Sequence, residues 1–145
     1  MAGKAKKILS LVLILAVITA GAGYYFWNKP HQDVSGAEGI KTEATALYKT
    51  FITDSVAAKK NYLQKVVQVK GIVNAVSKNQ QNQTVVTIKT GTEGAYINCT
   101  MEGEVVNIKE GNETTIKGIC EGIAEGDAEM GIVGDVYLVR CYLVK

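Results

Sequence analysis

The spacing of apolar residues changes along the chain, and each change marks an element. From Ile8 to Trp27 there are 20 residues without a charge. At about 1.5 Å per residue, a helix of that length crosses a hydrocarbon core of about 30 Å. Residues 28–41 (NKPHQDVSGAEGIK) are polar and include Pro30 and His31, the chain's single proline and histidine. They read as a linker. Ala44, Leu47, Tyr48, Phe51, Ser55 and Ala58 then recur three and four apart, which predicts an amphipathic helix over 43–60. Thr42 is the expected N-cap. Glu43 suits the first turn, and Lys59 and Lys60 suit the last.

Beyond Leu63 the period drops to two. Residues 65–73 predict a strand with Val67, Val69 and Val73 on one face and Gln68 and Lys70 on the other. Thr84–Thr90 follows with Val86 and Ile88 inward. Ala95–Met101 comes next, with Ala95, Ile97, Cys99 and Met101 inward. Thr114–Ile123 and Asp135–Val144 complete the set. Five short strands, one helix and glycine-bearing turns predict a small barrel or sandwich.

Composition adds little until it is divided. The 145 residues are 47% hydrophobic and 21% charged with net +2, which excludes collagen-like and highly charged disordered chains. Residues 1–27 carry Lys4, Lys6 and Lys7 and no acid. Removing those three from 16 basic residues leaves 13 against 14 acidic ones, a body of net −1. Lysines before an apolar span keep the N-terminus in the cytoplasm and export the remainder, and Tyr24–Trp27 form an aromatic belt at the far end. The organisation expected is a basic tail at 1–7, a single-span anchor at 8–27 in the cytoplasmic (inner) membrane, a linker at 28–41 and a domain at 42–145 outside the cytoplasm. The alternative is a signal peptide cut near Ala22, after the small residues Ala20-Gly21-Ala22. No cysteine precedes Cys99, which excludes a lipoprotein anchor at the end of the span. Glycine stands at position 3 rather than 2, which excludes myristoylation.

Several features coincide: Asn61-Tyr62-Leu63-Gln64-Lys65-Val66 running into Val69-x-Gly71-x-Val73, then Ile116-Lys117-Gly118-Ile119-Cys120-Glu121-Gly122, then Asp135-Val136-Tyr137-Leu138-Val139-Arg140-Cys141, with Lys29-Pro30-His31 after the span. Over residues 29–145 this resembles the tRNA_anti-like family of bacterial OB-fold proteins, which are often exported or membrane-anchored. The resemblance implies a mainly β protein, a five-stranded OB barrel preceded by one helix. It implies little about activity, and fold alone does not transfer one. Residues 102–110 depart from the pattern: they are too short for a long helix between the third and fourth strands and hold one turn, at 105–109, at most.

An OB domain that binds single strands does so on the face of its second and third strands, with stacking aromatics and basic groups. The outward candidates here are Gln68, Lys70, Thr87, Lys89, Tyr96 and Asn98. One aromatic and two lysines on a body of net −1 make a weak electrostatic term, which argues against nucleic acid. The expected partners are the membrane, through 8–27, and a protein or small ligand of the cell envelope. An oligonucleotide-binding protein and a structural accessory subunit of a membrane complex are the alternatives.

Catalysis is not expected. The one histidine lies in the linker, so a Ser-His-Asp or Cys-His set has no base, and no phosphate-binding loop is present. Neither CxxC nor a nearby histidine supports a metal site, and no cofactor is expected. Glu121, Glu125, Asp127 and Glu129 lack EF-hand spacing and read as a solvated loop. Cys99, Cys120 and Cys141 all share the inward parity. A hairpin of the last two strands centred near residue 130 would place Cys120 opposite Cys141, and export would let that pair form a disulfide. The other reading is three reduced core thiols.

Overall fold

A computed structural model describes residues 2–28, 33–127 and 129–145. The Lys29-Pro30-His31 stretch lies outside the described residues. The chain divides into two compact units, 1–33 and 34–145. The first is helix α1 (Ala2–Trp27), long and apolar enough to cross a membrane and solvent-exposed throughout its apolar window. Its hydroxyls turn back on the helix. Thr19 Oγ1 donates to the Leu15 and Ala16 carbonyls, and Ser10 Oγ to that of Lys7. This leaves no polar side chain reaching outward from the middle of the helix, as lipid demands.

The second unit contains β1 (Ile40–Glu43), α2 (Ala44–Thr53), α3 (Ser55–Tyr62), β2 (Val66–Lys78), β3 (Thr84–Lys89), β4 (Tyr96–Met101), β5 (Glu113–Ile123) and β6 (Val136–Leu143). The first half of β2 (66–72) bonds antiparallel to β5, and its second half (73–78) to β3. Asn74 is an extra residue on β2, between the pairs Val73–Ile88 and Ala75–Thr87. A bulge there bends the strand so that it serves both neighbours. With β3–β4 and β5–β6 antiparallel and β4–β6 parallel, strands β2-β3-β4-β6-β5 close on themselves. This is the expected five-stranded OB barrel.

The inward parities hold. Val67, Val69, Val73, Val86, Ile88, Ala95, Ile97, Cys99, Met101, Ile116, Cys120, Leu138 and Cys141 are buried in one core. Leu47, Tyr48, Phe51 and Ala58 press the two helices onto it. Gly71 permits the close approach: a Cβ there would stand 2.5 Å from Ile88 Cγ2 and 2.9 Å from Ala44 Cβ.

Four details differ from expectation. A sixth strand, β1, pairs parallel with β2 from Ile40–Val67 to Glu43–Lys70, on the edge that β5 leaves free. Thr42 therefore belongs to a strand, and Glu43 stands at the N-cap of α2 without a side-chain cap bond. The expected helix is two helices, broken at Asp54, whose carboxylate accepts from the Ala57 N–H (3.0 Å) and caps α3. Ser55, beyond that break, is exposed rather than part of the buried stripe. The first barrel strand also runs on to Lys78, past the expected end at Val73. Residues 102–110 contain no helix, within the one turn at most expected of them. The expected linker also contributes Val34, 2% exposed, and Lys117 Nζ donates to the carbonyls of Ser35 (2.8 Å) and Ala37 (2.9 Å).

Candidate functional site

Period-two alternation sends the odd positions of β3 and even positions of β4 out of the barrel. Antiparallel pairing then sets Thr87 beside Asn98 and Lys89 beside Tyr96. Gln68 and Lys70 lie on the first half of β2, flanked by β1 and β5. Three shallow depressions connect them. Gln68 and Lys70 line one of about 280 Å³ with Lys41, Thr42, Glu43 and Thr115. Lys70 and Lys89 share the next, about 340 Å³, over Gly71 and Gly91. Lys89 and Tyr96 share a third, about 380 Å³, with Asn74 and the 91–95 turn. Lys70, Lys89 and Tyr96 thus form a continuous strip. Gln68 sits at its end, next to β1.

Thr87 and Asn98 play another part. Thr87 Oγ1 donates to Asn98 Oδ1 (3.2 Å), and Asn98 Nδ2 donates to Asp135 Oδ2 (2.8 Å). Asp135 Oδ1 also accepts the Tyr96 N–H (2.9 Å). The carboxylate that opens β6 therefore holds β4 in place beneath Tyr96. Asp135 was not among the sequence candidates. In the sequence it stands only as the first residue of the Asp135–Cys141 stretch, at a strand start, with no sign of a site. Glu113 was missed too. It pairs with Lys70 at 3.1 Å with both side chains more than half exposed, so the pair is worth little and leaves Lys70 available. Beneath the face, the hydroxyl of buried Tyr48 finds no hydrogen-bond partner among the described residues. Burial, and then the Asp135 charge, push its pKa up.

A cavity of about 610 Å³ lies elsewhere. It is lined by Val106, Asn107, Ile108, Thr114 and Tyr142 among others, and by none of the six candidates.

The cysteines are inward, but the expected pairing is displaced. Cys120 stands opposite Leu138, not Cys141, and all three thiols are free in this structure. The β5–β6 ladder slips between Lys117 and Ile119 and again between Cys120 and Gly122, so a constant hairpin register does not hold. Cys141 instead shares a hydrogen bond with Cys99, which together with burial pushes its pKa up. Burial also raises Cys120. These thiols are poor nucleophiles, because reactivity belongs to the thiolate. No group of three or more His, Cys, Asp or Glu side chains among the described residues is placed to hold a metal.

The model of the tRNA_anti-like family matches residues 1–130. No curated protein matches the chain. Among solved structures, a protein from Klebsiella pneumoniae described provisionally as a nucleic acid-binding lipoprotein superposes with a TM-score of 0.50 at 17% identity, over 81% of this chain and 100% of that one. A Leishmania major protein described provisionally as an aspartyl-tRNA synthetase gives 0.43 at 9% identity, over 87% of this chain; the chain spans only 25% of that protein.

Proposed function

The chain belongs to the tRNA_anti-like family of OB-fold proteins, and on that premise we propose that it is a membrane-anchored, non-enzymatic binding module working outside the cytoplasm. The observation that carries the reading is the strip Lys70–Lys89–Tyr96 on a closed OB barrel, with Lys89 and Tyr96 directly paired across strands. A cation beside a half-buried aromatic ring recognises a planar or anionic group. Rigid β-strands hold both, and the Asp135 network fixes the Tyr96 backbone. The other polar groups on the face, Thr87 and Asn98, already satisfy each other and Asp135, so they support binding rather than proton transfer. The ligand class favoured is a small molecule or a protein segment of the cell envelope.

A photo-crosslinking residue in place of Tyr96, in the full chain in cells, tests this. An adduct that weakens with Lys89→Glu supports the strip as the binding site. An adduct indifferent to Lys89→Glu, or none, sinks it.

The same lysines and ring also favour a second reading, single-stranded nucleic acid. The body's net −1 weighs against it, because phosphate neutralisation dominates such affinity. Polarisation of a labelled oligonucleotide distinguishes the two. No binding at low salt leaves the first reading standing. Binding that falls steeply with salt and is lost in Tyr96→Ala replaces it.

A further inference from the structure

The outer side of the two helices has a character the body as a whole lacks. Leu47, Tyr48, Phe51 and Ala58 face the barrel, while Ile52 is 56% exposed and Val56 77% exposed, with partly exposed Leu63 after them. Lys49 lies one turn before Ile52, and Lys59 and Lys60 one turn after Val56, on the same exposed sides. Lys65 closes the series, its Nζ donating to the Lys60 carbonyl at 3.0 Å. Residues 44–65 contain these four lysines against one acid, Asp54, although the body is net −1. Asp54 is engaged as the α3 cap. On the barrel, Glu121 precedes the Gly122 that Leu63 approaches. Neither ion pair among the described residues uses the four lysines.

We propose that this α2–α3 face docks on an anionic phospholipid bilayer. Two aliphatic side chains amid lysines match the headgroup boundary, where apolar groups enter and cations meet lipid phosphates. Each lysine near such a surface strengthens binding about fivefold. None of the four cavities described above is lined by Ile52 or Val56. A shaped protein partner would use a groove, whereas a fluid lipid surface needs none. The proposal rests on the membrane-anchored reading above, which keeps such a surface within reach.

The test uses the full chain with Val56→Cys carrying an environment-sensitive fluorophore. Cys99, Cys120 and Cys141 are fully buried and escape labelling in the folded protein. The chain is reconstituted into vesicles of phosphatidylcholine alone, or with roughly a third phosphatidylglycerol. Emission is expected to shift to the blue only with phosphatidylglycerol. A label at Gln81→Cys, on the polar turn, is expected to stay unshifted. Lys59→Gln with Lys60→Gln should lower the docked-to-undocked ratio about 30-fold. A chain that floats with the vesicles but leaves the Val56 label unshifted overturns this proposal alone. An equal shift in both lipids, or at Gln81, overturns it as well. A chain that does not float with the vesicles overturns the anchor reading and the proposal with it.

Discussion

Tyr48 buries a hydroxyl that has no hydrogen-bond partner among the described residues, yet its ring fills core space in the cluster that holds Phe51 and Leu47. Its packing is apolar work, and its one polar atom costs about 1–3 kcal/mol if it stays unsatisfied. Burial and Asp135 raise its pKa, so the native state prefers the neutral phenol. The unfolded chain ionises first, near pH 10, and above that value stability falls as pH rises toward the folded pKa. Buried Cys120 and Cys141 act in the same direction from about pH 8.5 upward. Tyr48→Phe is therefore expected to match or exceed the wild type in thermal stability at pH 7, and to lose less between pH 9 and 11. Melting curves across that range check both. A fall of more than about 2 kcal/mol at pH 7 would show that the hydroxyl has a partner worth that much.

At the scale of elements, Asp54 decides where one helix stops and another begins. Its φ/ψ of −144/83 leaves the helical region, and its carboxylate caps α3 while its own N–H still bonds to Thr50. Asp54→Ala should cost about 1 kcal/mol, with Asp54→Ser recovering most of it; urea denaturation of both variants measures the difference. The same position shows where sequence legibility ends. Asp inside an apolar period of 3.6 is common enough that the stripe from Ala44 to Ala58 reads as one helix. The barrel strands were legible because strict alternation on a half-buried sheet sorts Val86 and Ile88 from Thr87 and Lys89. β1 was not: Ile40-Lys41-Thr42-Glu43 has no buried face of its own, and its pairing with β2 is a long-range parallel one. The β5–β6 register failed for a backbone reason. Gly122 and Arg140 adopt φ of 106° and 53°, and the ladder slips near both. The face candidates were legible as outward residues, but their division into a binding strip and a structural network required knowing where Asp135 lands.

The whole molecule joins two units of different surface, one apolar and one mixed. The net +2 comes from three lysines at the start of α1, ahead of its apolar stretch, while the body is net −1. For a short apolar span, lysine asymmetry sets orientation. In the ten residues after α1 the sequence has one Lys or Arg, Lys29, against Lys4, Lys6 and Lys7 ahead of the apolar stretch. On the proposed reading, the barrel lies outside the cytoplasm. This is the premise on which a non-cytoplasmic ligand for Lys89 and Tyr96 depends. Protease added to intact spheroplasts is expected to digest residues after α1 in the wild type. In Lys4→Glu, Lys6→Glu, Lys7→Glu the asymmetry is lost, and a substantial protected fraction should appear. Intact mass settles the other question about the span: a chain that retains residues 1–22 is anchored, and one that begins just after Ala22 has been released. A wild-type barrel that resists protease in spheroplasts but yields after lysis would place it in the cytoplasm. The barrel would then share its compartment with nucleic acid, and only its net −1 would weigh against such a ligand.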